Sequence, residues 1–397
     1  MARCFFLLLI LGCTSTPPDS ANDAGAMCTP SGLRPGARYA HQAVAGNGKL
    51  WVYGGDSAPF NPNGMTPSVY VDELWSYDLG CQSWSRSTGL GAPGRRGLYA
   101  ATLDEKRQRI LLVGGRKNDH GYELLNDLWS FDLIAQKWTQ LGPSGSPPKK
   151  RQSHRVVYDP TGDRLLLFGG NGATLFGGNV LGDTWELSFA SGGDGAWQEL
   201  KPAQHPSARQ DVGTAFDASR GLWLVFGGAF DFSNYSDEVW AFELSKNEWH
   251  LVDMSGGRPT KRFWATLVRD EPRDRILLFG GHDDGPIGLV NDSWSLALSS
   301  DGKTGSWQNL IGGDSELSIA GVDPLSPERR NKQSFVALGS EVWLFGGITD
   351  CGPINDVWTF DLAANHWTRR WPAELGETCA RRATEKQTCP SDCGNPL

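Results

Sequence analysis

Six times along this chain a short apolar run ends in a pair of glycines: LWVYGG at 50–55, ILLVGG at 110–115, LLLFGG at 165–170, WLVFGG at 223–228, ILLFGG at 276–281 and VWLFGG at 342–347. Apolar runs this short, bounded by turn residues, fit buried strands and are too short for buried helices. The third copy shows the unit. A β-rich run at 154–158 leads into the turn Asp159-Pro-Thr-Gly-Asp163, a second apolar strand at 164–168 stops at Gly169-Gly170, residues 184–189 alternate, and 197–200 make a short fourth strand. No window combines helical periodicity with caps. The chain therefore predicts an all-β fold with four strands per copy, built by repetition.

Three further positions recur with the doublet. An acidic residue stands two places before a tryptophan in every copy: Glu73/Trp75, Asp127/Trp129, Asp183/Trp185, Glu238/Trp240, Asp292/Trp294 and Asp356/Trp358. A second tryptophan follows at Trp84, Trp138, Trp197, Trp249, Trp307 and Trp367, so the repeat places twelve of the 17 tryptophans. Each copy opens with an arginine: Arg38, Arg96, Arg151, Arg209, Arg262 and Arg330. This constellation resembles the kelch repeat over residues 38–371. The resemblance implies a six-bladed kelch-type β-propeller with four antiparallel strands, A to D, in each blade. The local chemistry agrees, because glycines at a strand end allow positive φ and close approach, and tryptophans supply broad faces for packing between blades.

If strand A starts at the arginine and descends, the B–C and D–A connections share an upper face, and that is where the variable segments fall. A residue present in every blade is explained by what every blade needs; function belongs to departures. The arginine ring leaves two alternatives: a basic pocket for a carboxylate, phosphate or sulfate, or pairing of each arginine with the repeated acid. The aromatic loop 230–235, with Phe230 and Tyr235, either stacks on a ligand or folds over the channel mouth as packing.

Composition narrows the class. Fifty glycines without a Gly-X-Y period exclude collagen, and 39% apolar residues suffice for a core. A net charge of −8 argues against nucleic acid as a partner. Arg3, the apolar stretch 5–11 and Ile10-Leu11-Gly12-Cys13 resemble a bacterial lipoprotein signal, which implies cleavage before Cys13, its acylation and, with Thr14 following, an outer-membrane address in the cell envelope. The expected organisation is a signal peptide at 1–12, a flexible tether at 13–33, the propeller at 34–371 and a cysteine-containing tail at 372–397. Cys28, Cys81, Cys351, Cys379, Cys389 and Cys393 form an even set of six, as in disulfide-bonded exported proteins. Because both end blades look complete, no shared strand locks the ring. A bridge from Cys28 to Cys351 is expected to staple it, with Cys28 to a tail cysteine as the alternative.

Chemistry is sparse. His41 and His154 occupy one strand-A position and read as structural. His282-Asp283-Asp284 is the best metal candidate, yet three adjacent residues rarely converge on one ion, so no metal or cofactor is expected. The copper ligands of galactose oxidase, a kelch propeller, cannot be matched here, and no hydrolase or phosphate-loop motif occurs. Two functions remain: a lipid-anchored binding scaffold that presents upper-face loops to a protein or glycan, or an enzyme resembling the exported kelch mutarotases of sialic acid. The first is preferred, because no acid/base pair stands out from the sixfold acidic background.

Overall fold

The computed structural model describes residues 33–59, 67–87, 91–174, 178–285, 288–314, 325–350 and 352–373. Cys13, Cys28, Cys351, Cys379, Cys389 and Cys393 lie outside them. The described strands form a six-bladed β-propeller of antiparallel A-B-C-D sheets. Blade 1 comprises Gln42–Gly46, Lys49–Tyr53, Leu74–Asp78 and Ser83–Ser87. Blade 2 comprises Ala100–Asp104, Arg109–Lys117, Glu123–Asp132 and Lys137–Leu141. Blade 3 runs through Arg155–Asp159, Arg164–Asn171, Val180–Ser188 and Ala196–Leu200, and blade 4 through Gly213–Asp217, Leu222–Phe226, Val239–Glu243 and Glu248–Leu251. Blade 5 has Thr266–Asp270, Arg275–Asp283, Leu289–Leu298 and Thr304–Ile311; blade 6 has Ser334–Leu338, Glu341–Phe345, Val357–Asp361 and His366–Trp371. Among the described residues the one helical element is a single 3-10 turn, Glu271–Arg273.

Two details depart from the reading of the sequence. In blades 2, 3 and 5 strand B does not stop at the glycines but continues through them, with a register shift between Val113 and Gly115, Phe168 and Gly170, and Phe279 and Gly281. The doublet there is a bulge that bends the strand over the upper rim. Blade 5 also gains a fifth, outer strand, Asp253–Ser255, which pairs in parallel with its strand D.

The core is divided among the blade interfaces. Six clusters of buried side chains occur, each joining two neighbouring blades, and the cluster between blades 6 and 1 includes Val52, Trp84, Trp343 and Phe345. The strand-D tryptophan of each blade meets the residue before the doublet on strand B of the preceding blade. Ring centroids are 5.0 Å apart for Trp138 and Tyr53, 5.1 Å for Trp249 and Phe168, 5.3 Å for Trp307 and Phe226, 4.9 Å for Trp367 and Phe279, and 5.1 Å for Trp84 and Phe345. Trp197 shares a cluster with Val113.

The doublet also carries a hydrogen bond across every interface. The second glycine N–H donates to the carbonyl of the next repeated arginine: Gly55 to Arg96, Gly115 to Arg151, Gly170 to Arg209, Gly228 to Arg262, Gly281 to Arg330 and Gly347 to Arg38, at 2.9–3.0 Å. The last closes the ring. At Gly169 (φ +65°) a Cβ would lie 2.6 Å from the Arg209 carbonyl oxygen, which is why no larger residue fits there.

Candidate binding site at the channel mouth

Each repeated arginine is buried and committed to its own blade. Arg38 pairs with Glu73 at 2.8 Å, Arg96 with Asp127 at 2.8 Å, Arg151 with Asp183 at 2.7 Å, Arg209 with Glu238 at 2.7 Å, Arg262 with Asp292 at 2.5 Å and Arg330 with Asp356 at 2.5 Å. Nη1 also donates to the carbonyl of the first glycine, as from Arg151 to Gly169 at 2.9 Å. The same carboxylates accept the indole N–H two residues on, as Asp183 does from Trp185 at 2.7 Å. Of the two alternatives that repetition left open, the contacts follow the second: Arg, Gly-Gly, acid and Trp form one hydrogen-bonded unit that ties strands A, B and C together. An anion pocket built on the ring of six arginines is therefore not what their geometry provides.

Two residues beyond each arginine, the chain adopts a left-handed conformation in every blade. Ala40, Leu98, Ser153, Asp211, Trp264 and Lys332 have φ between 53° and 58°. Such a φ costs a non-glycine residue roughly 1–2 kcal/mol, and a belt of blade-to-blade hydrogen bonds holds it. The Ala40 N–H donates to Lys332 O (3.2 Å), Leu98 to Ala40 (2.9 Å), Ser153 to Leu98 (2.8 Å), Asp211 to Ser153 (3.0 Å) and Trp264 to Asp211 (2.8 Å). The backbone of this belt is sixfold and its side chains are not. It rims a cavity of about 150 Å³ at the upper end of the central channel, lined below by residues such as Tyr99, Arg155 and Ser334.

Around the rim runs an arc of aromatic rings and cations. Tyr235, from the blade 4 loop, packs at a tilt against Phe263 with ring centroids 4.6 Å apart, and Phe263 lies 4.2 Å from Trp264. The Lys332 ammonium sits 3.9 Å from the Trp264 ring centroid and 5.0 Å from that of Tyr39. Tyr39 donates its hydroxyl to Asp56 at 2.9 Å. Farther round, Arg116 lies over Tyr122 at 4.3 Å and donates to the Tyr70 hydroxyl at 2.6 Å. Burial pulls the Lys332 ammonium down to about 8, against the opposing pull of Asp211 and Asp56. Burial also pushes the Asp211 carboxyl up, although Arg155, Ser153 and Lys332 act the other way. Perturbed titrating groups around a cavity are a signature of binding or catalytic sites.

The residues singled out in the sequence fall as follows. Tyr235 belongs to the arc, and its hydroxyl donates to the Phe232 carbonyl at 2.9 Å. Phe230 is covered by the Arg209 guanidinium at 5.0 Å, a packing contact. His41 and His154 are buried beside the channel. Asp283 accepts from Thr260 Oγ1 at 2.9 Å, and among the described residues no three His, Cys, Asp or Glu side chains gather to hold a metal. Sequence reasoning missed Tyr39, Asp211, Trp264 and Lys332. Their signal was present: they stand one or two places after the repeated arginine, and two places after it all six copies differ in residue type.

A family profile described as the KLHDC2/KLHL20/DRC7 Kelch-repeats domain matches residues 21–220 and 213–392. Among curated proteins, the chain is similar to the leucine-zipper-like transcriptional regulator 1 homolog of Drosophila melanogaster, with 25% identity over 288 residues, covering 71% of this chain and 27% of that protein. It is 27% identical over 317 residues to acyl-CoA-binding domain-containing protein 4 of Arabidopsis thaliana, covering 75% and 41%. It is 29% identical over 164 residues to multiple epidermal growth factor-like domains protein 8 of Mus musculus, covering 40% and 6%. The chain thus spans less than half the length of each of these relatives.

Proposed function

Because this chain belongs to the kelch-repeat family, we propose that it is a protein-interaction scaffold that receives its partner on the upper face of the propeller. One observation carries the choice of face. Among the described residues seven large hydrophobic side chains are exposed, and five of them, Leu33, Val69, Tyr122, Phe232 and Leu325, lie in upper-face segments. Exposed apolar groups concentrated on one side mark interaction surfaces. The test is capture of a partner from envelope extracts by the tagged protein. A Val69→Ser/Tyr122→Ser/Phe232→Ser protein loses the partner, and an Ile134→Ser protein, altered in the C–D turn of blade 2 on the opposite face, keeps it. Equal loss in both would reject the upper face, and a glycan array on the same proteins decides between a protein and a glycan.

The N-terminal motif supports tethering to the bacterial cell envelope through an acylated Cys13, with the outer membrane as its address. A Cys13→Ala protein that still labels with palmitate defeats that reading. The even set of six cysteines beyond Cys13 supports export, as in disulfide-bonded exported proteins. Non-reducing peptide mapping tests the further proposal that Cys28 bridges Cys351, which a free Cys28 removes. A second reading, an enzyme of the sialic acid mutarotase type, rests on Asp211, the one carboxylate among the residues lining the cavity. Anomerisation of the free sugar no faster than in buffer would end it.

A further inference from the structure

The internal repeat isolates one place where chemistry departs from architecture. At the six equivalent belt positions the backbone is the same, yet blades 1 to 3 carry Ala40, Leu98 and Ser153 while blades 4 to 6 carry Asp211, Trp264 and Lys332. Holding a Trp or a Lys at positive φ is not something the fold requires, since Ala40 and Ser153 satisfy the same belt.

The charges on this rim do not cancel. Arg155 and Asp211 both line the cavity and each favours the other's charged form. Asp211 also accepts from Gln210 Nε2 at 3.1 Å. Asp56 is occupied by the Tyr39 hydroxyl at 2.9 Å and by the amides of Val69 at 2.9 Å and Ala58 at 3.0 Å. Those neutral donors leave the Asp56 charge in place, but with Arg116 three cations, Arg116, Arg155 and Lys332, face two carboxylates, Asp211 and Asp56, so one positive charge stays in excess at the Lys332 ammonium. Among the described residues no carboxylate lies within ion-pairing distance of it, and its close neighbours are the faces of Trp264 and Tyr39. Such faces stabilise an ammonium but leave its N–H groups available. A second, independent feature sits two residues farther along the chain, at the start of strand A of blade 6. Ser334 lines the cavity, is 5% exposed, and its buried hydroxyl has no hydrogen-bond partner among the described residues. A buried hydroxyl without a partner is a standing cost that a ligand acceptor relieves. The remaining wall mixes apolar side chains, Ala40, Leu98, Tyr99, Ala101 and the Trp264 ring, with polar ones such as Gln42, Thr214 and Thr266.

We propose that the upper cavity of the channel binds a small organic carboxylate with a flat or short apolar body, its carboxylate received by the Lys332 ammonium and the Ser334 hydroxyl and its body lying among Leu98, Tyr99 and Trp264. The site lies within the channel, inside the ring of loops that forms the scaffold surface, so it stands or falls separately from the partner assigned to that face.

Benzoate is the probe, titrated calorimetrically into the full-length protein at neutral pH, with benzamide as its neutral isostere and sodium sulfate at matched ionic strength as the control for screening. Benzoate binds, and benzamide and sulfate do not. Lys332→Met weakens benzoate by about tenfold or more, as expected for loss of a buried charge partner. Lys332→Arg, which keeps the charge and the fold should methionine disturb either, retains most of the affinity, and Ser334→Ala shows an intermediate loss. Binding of benzamide equal to that of benzoate, saturation by sulfate, benzoate affinity unchanged in both Lys332→Met and Ser334→Ala, or preference for a polar sugar acid over benzoate would each overturn the proposal.

Discussion

Two kinds of buried polar group set the stability of this molecule, neutral histidines and paired arginines. His41 and His154 are buried neutral. Burial, reinforced by the neighbouring Arg38, pulls His41 down to about 3, and burial with Arg151 beside it pulls His154 well below its ordinary value. A histidine whose proton affinity is lower in the folded state contributes stability that is present above about 6.5 and lost as pH falls toward the folded value. Each therefore removes about 1.4 kcal/mol per pH unit below that point. Urea midpoints should fall between pH 7 and 5, before the carboxylates titrate, and a His41→Gln/His154→Gln protein should lose most of that slope. An unchanged slope would assign it elsewhere. The arginine pairs behave as buried ion pairs. Arg151→Ala strands Asp183 and removes the bond to Gly169, so a loss of about 3–5 kcal/mol is expected in denaturant unfolding.

At the scale of the element, the glycine doublets and strand-D tryptophans decide whether a blade can meet its neighbour. Gly169 and Gly193 have nearly the same φ, +65° and +64°, but only Gly169 faces another blade; nothing lies within 4 Å of a Cβ built at Gly193. Gly193→Ala should cost roughly 1–2 kcal/mol from backbone strain. Gly169→Ala should add about 1–3 kcal/mol more for the clash with the Arg209 carbonyl. Comparable melting temperatures for the two would disprove the interlock. Trp249 is buried against Phe168 at 5.1 Å and donates to Thr184 Oγ1 of blade 3 at 3.0 Å. Its replacement by alanine should cost about 3–5 kcal/mol.

For the molecule as a whole, the interface between blades 6 and 1 uses the same parts as the others: a Gly347 to Arg38 hydrogen bond of 2.9 Å, a Trp84–Phe345 contact and a shared cluster. One bond is added there, Arg34 Nη1 to Pro372 O at 2.8 Å, while that from Asn355 Nδ2 to Pro35 O at 3.1 Å has counterparts in Asn126 to Pro148 and Asn291 to Pro327. Residues near both ends of the ring are therefore neighbours. A permuted chain, with 373 joined to 33 by a short linker and new ends in the 191–195 turn, should fold and melt within a few degrees of the parent under reducing conditions. Failure of the permutant to fold would show that the covalent order of the blades, or a cystine, is indispensable.

What was legible in the sequence was whatever the ring repeats. Six copies of arginine, Gly-Gly, acid and tryptophan announce six blades, because each blade must satisfy the same strand ends and bury the same faces against a neighbour. The pairing of Arg151 with Asp183, or of Trp249 with Phe168, could be anticipated as a class of contact, although not which of two roles the arginines would take. The site was hidden for the converse reason. Asp211, Trp264 and Lys332 are 53 to 121 residues apart in the chain and share no motif. They become one site only because strand A of every blade turns into the same belt at the same height, and closure of the ring then brings blades 4, 5 and 6 around one channel. Repetition along the chain determined the architecture; the assembly of unlike residues, and the shifts of Lys332 and Asp211 that follow from their burial together, were decided by the tertiary ring, since burial and proximity are properties of the closed molecule and not of any segment of it.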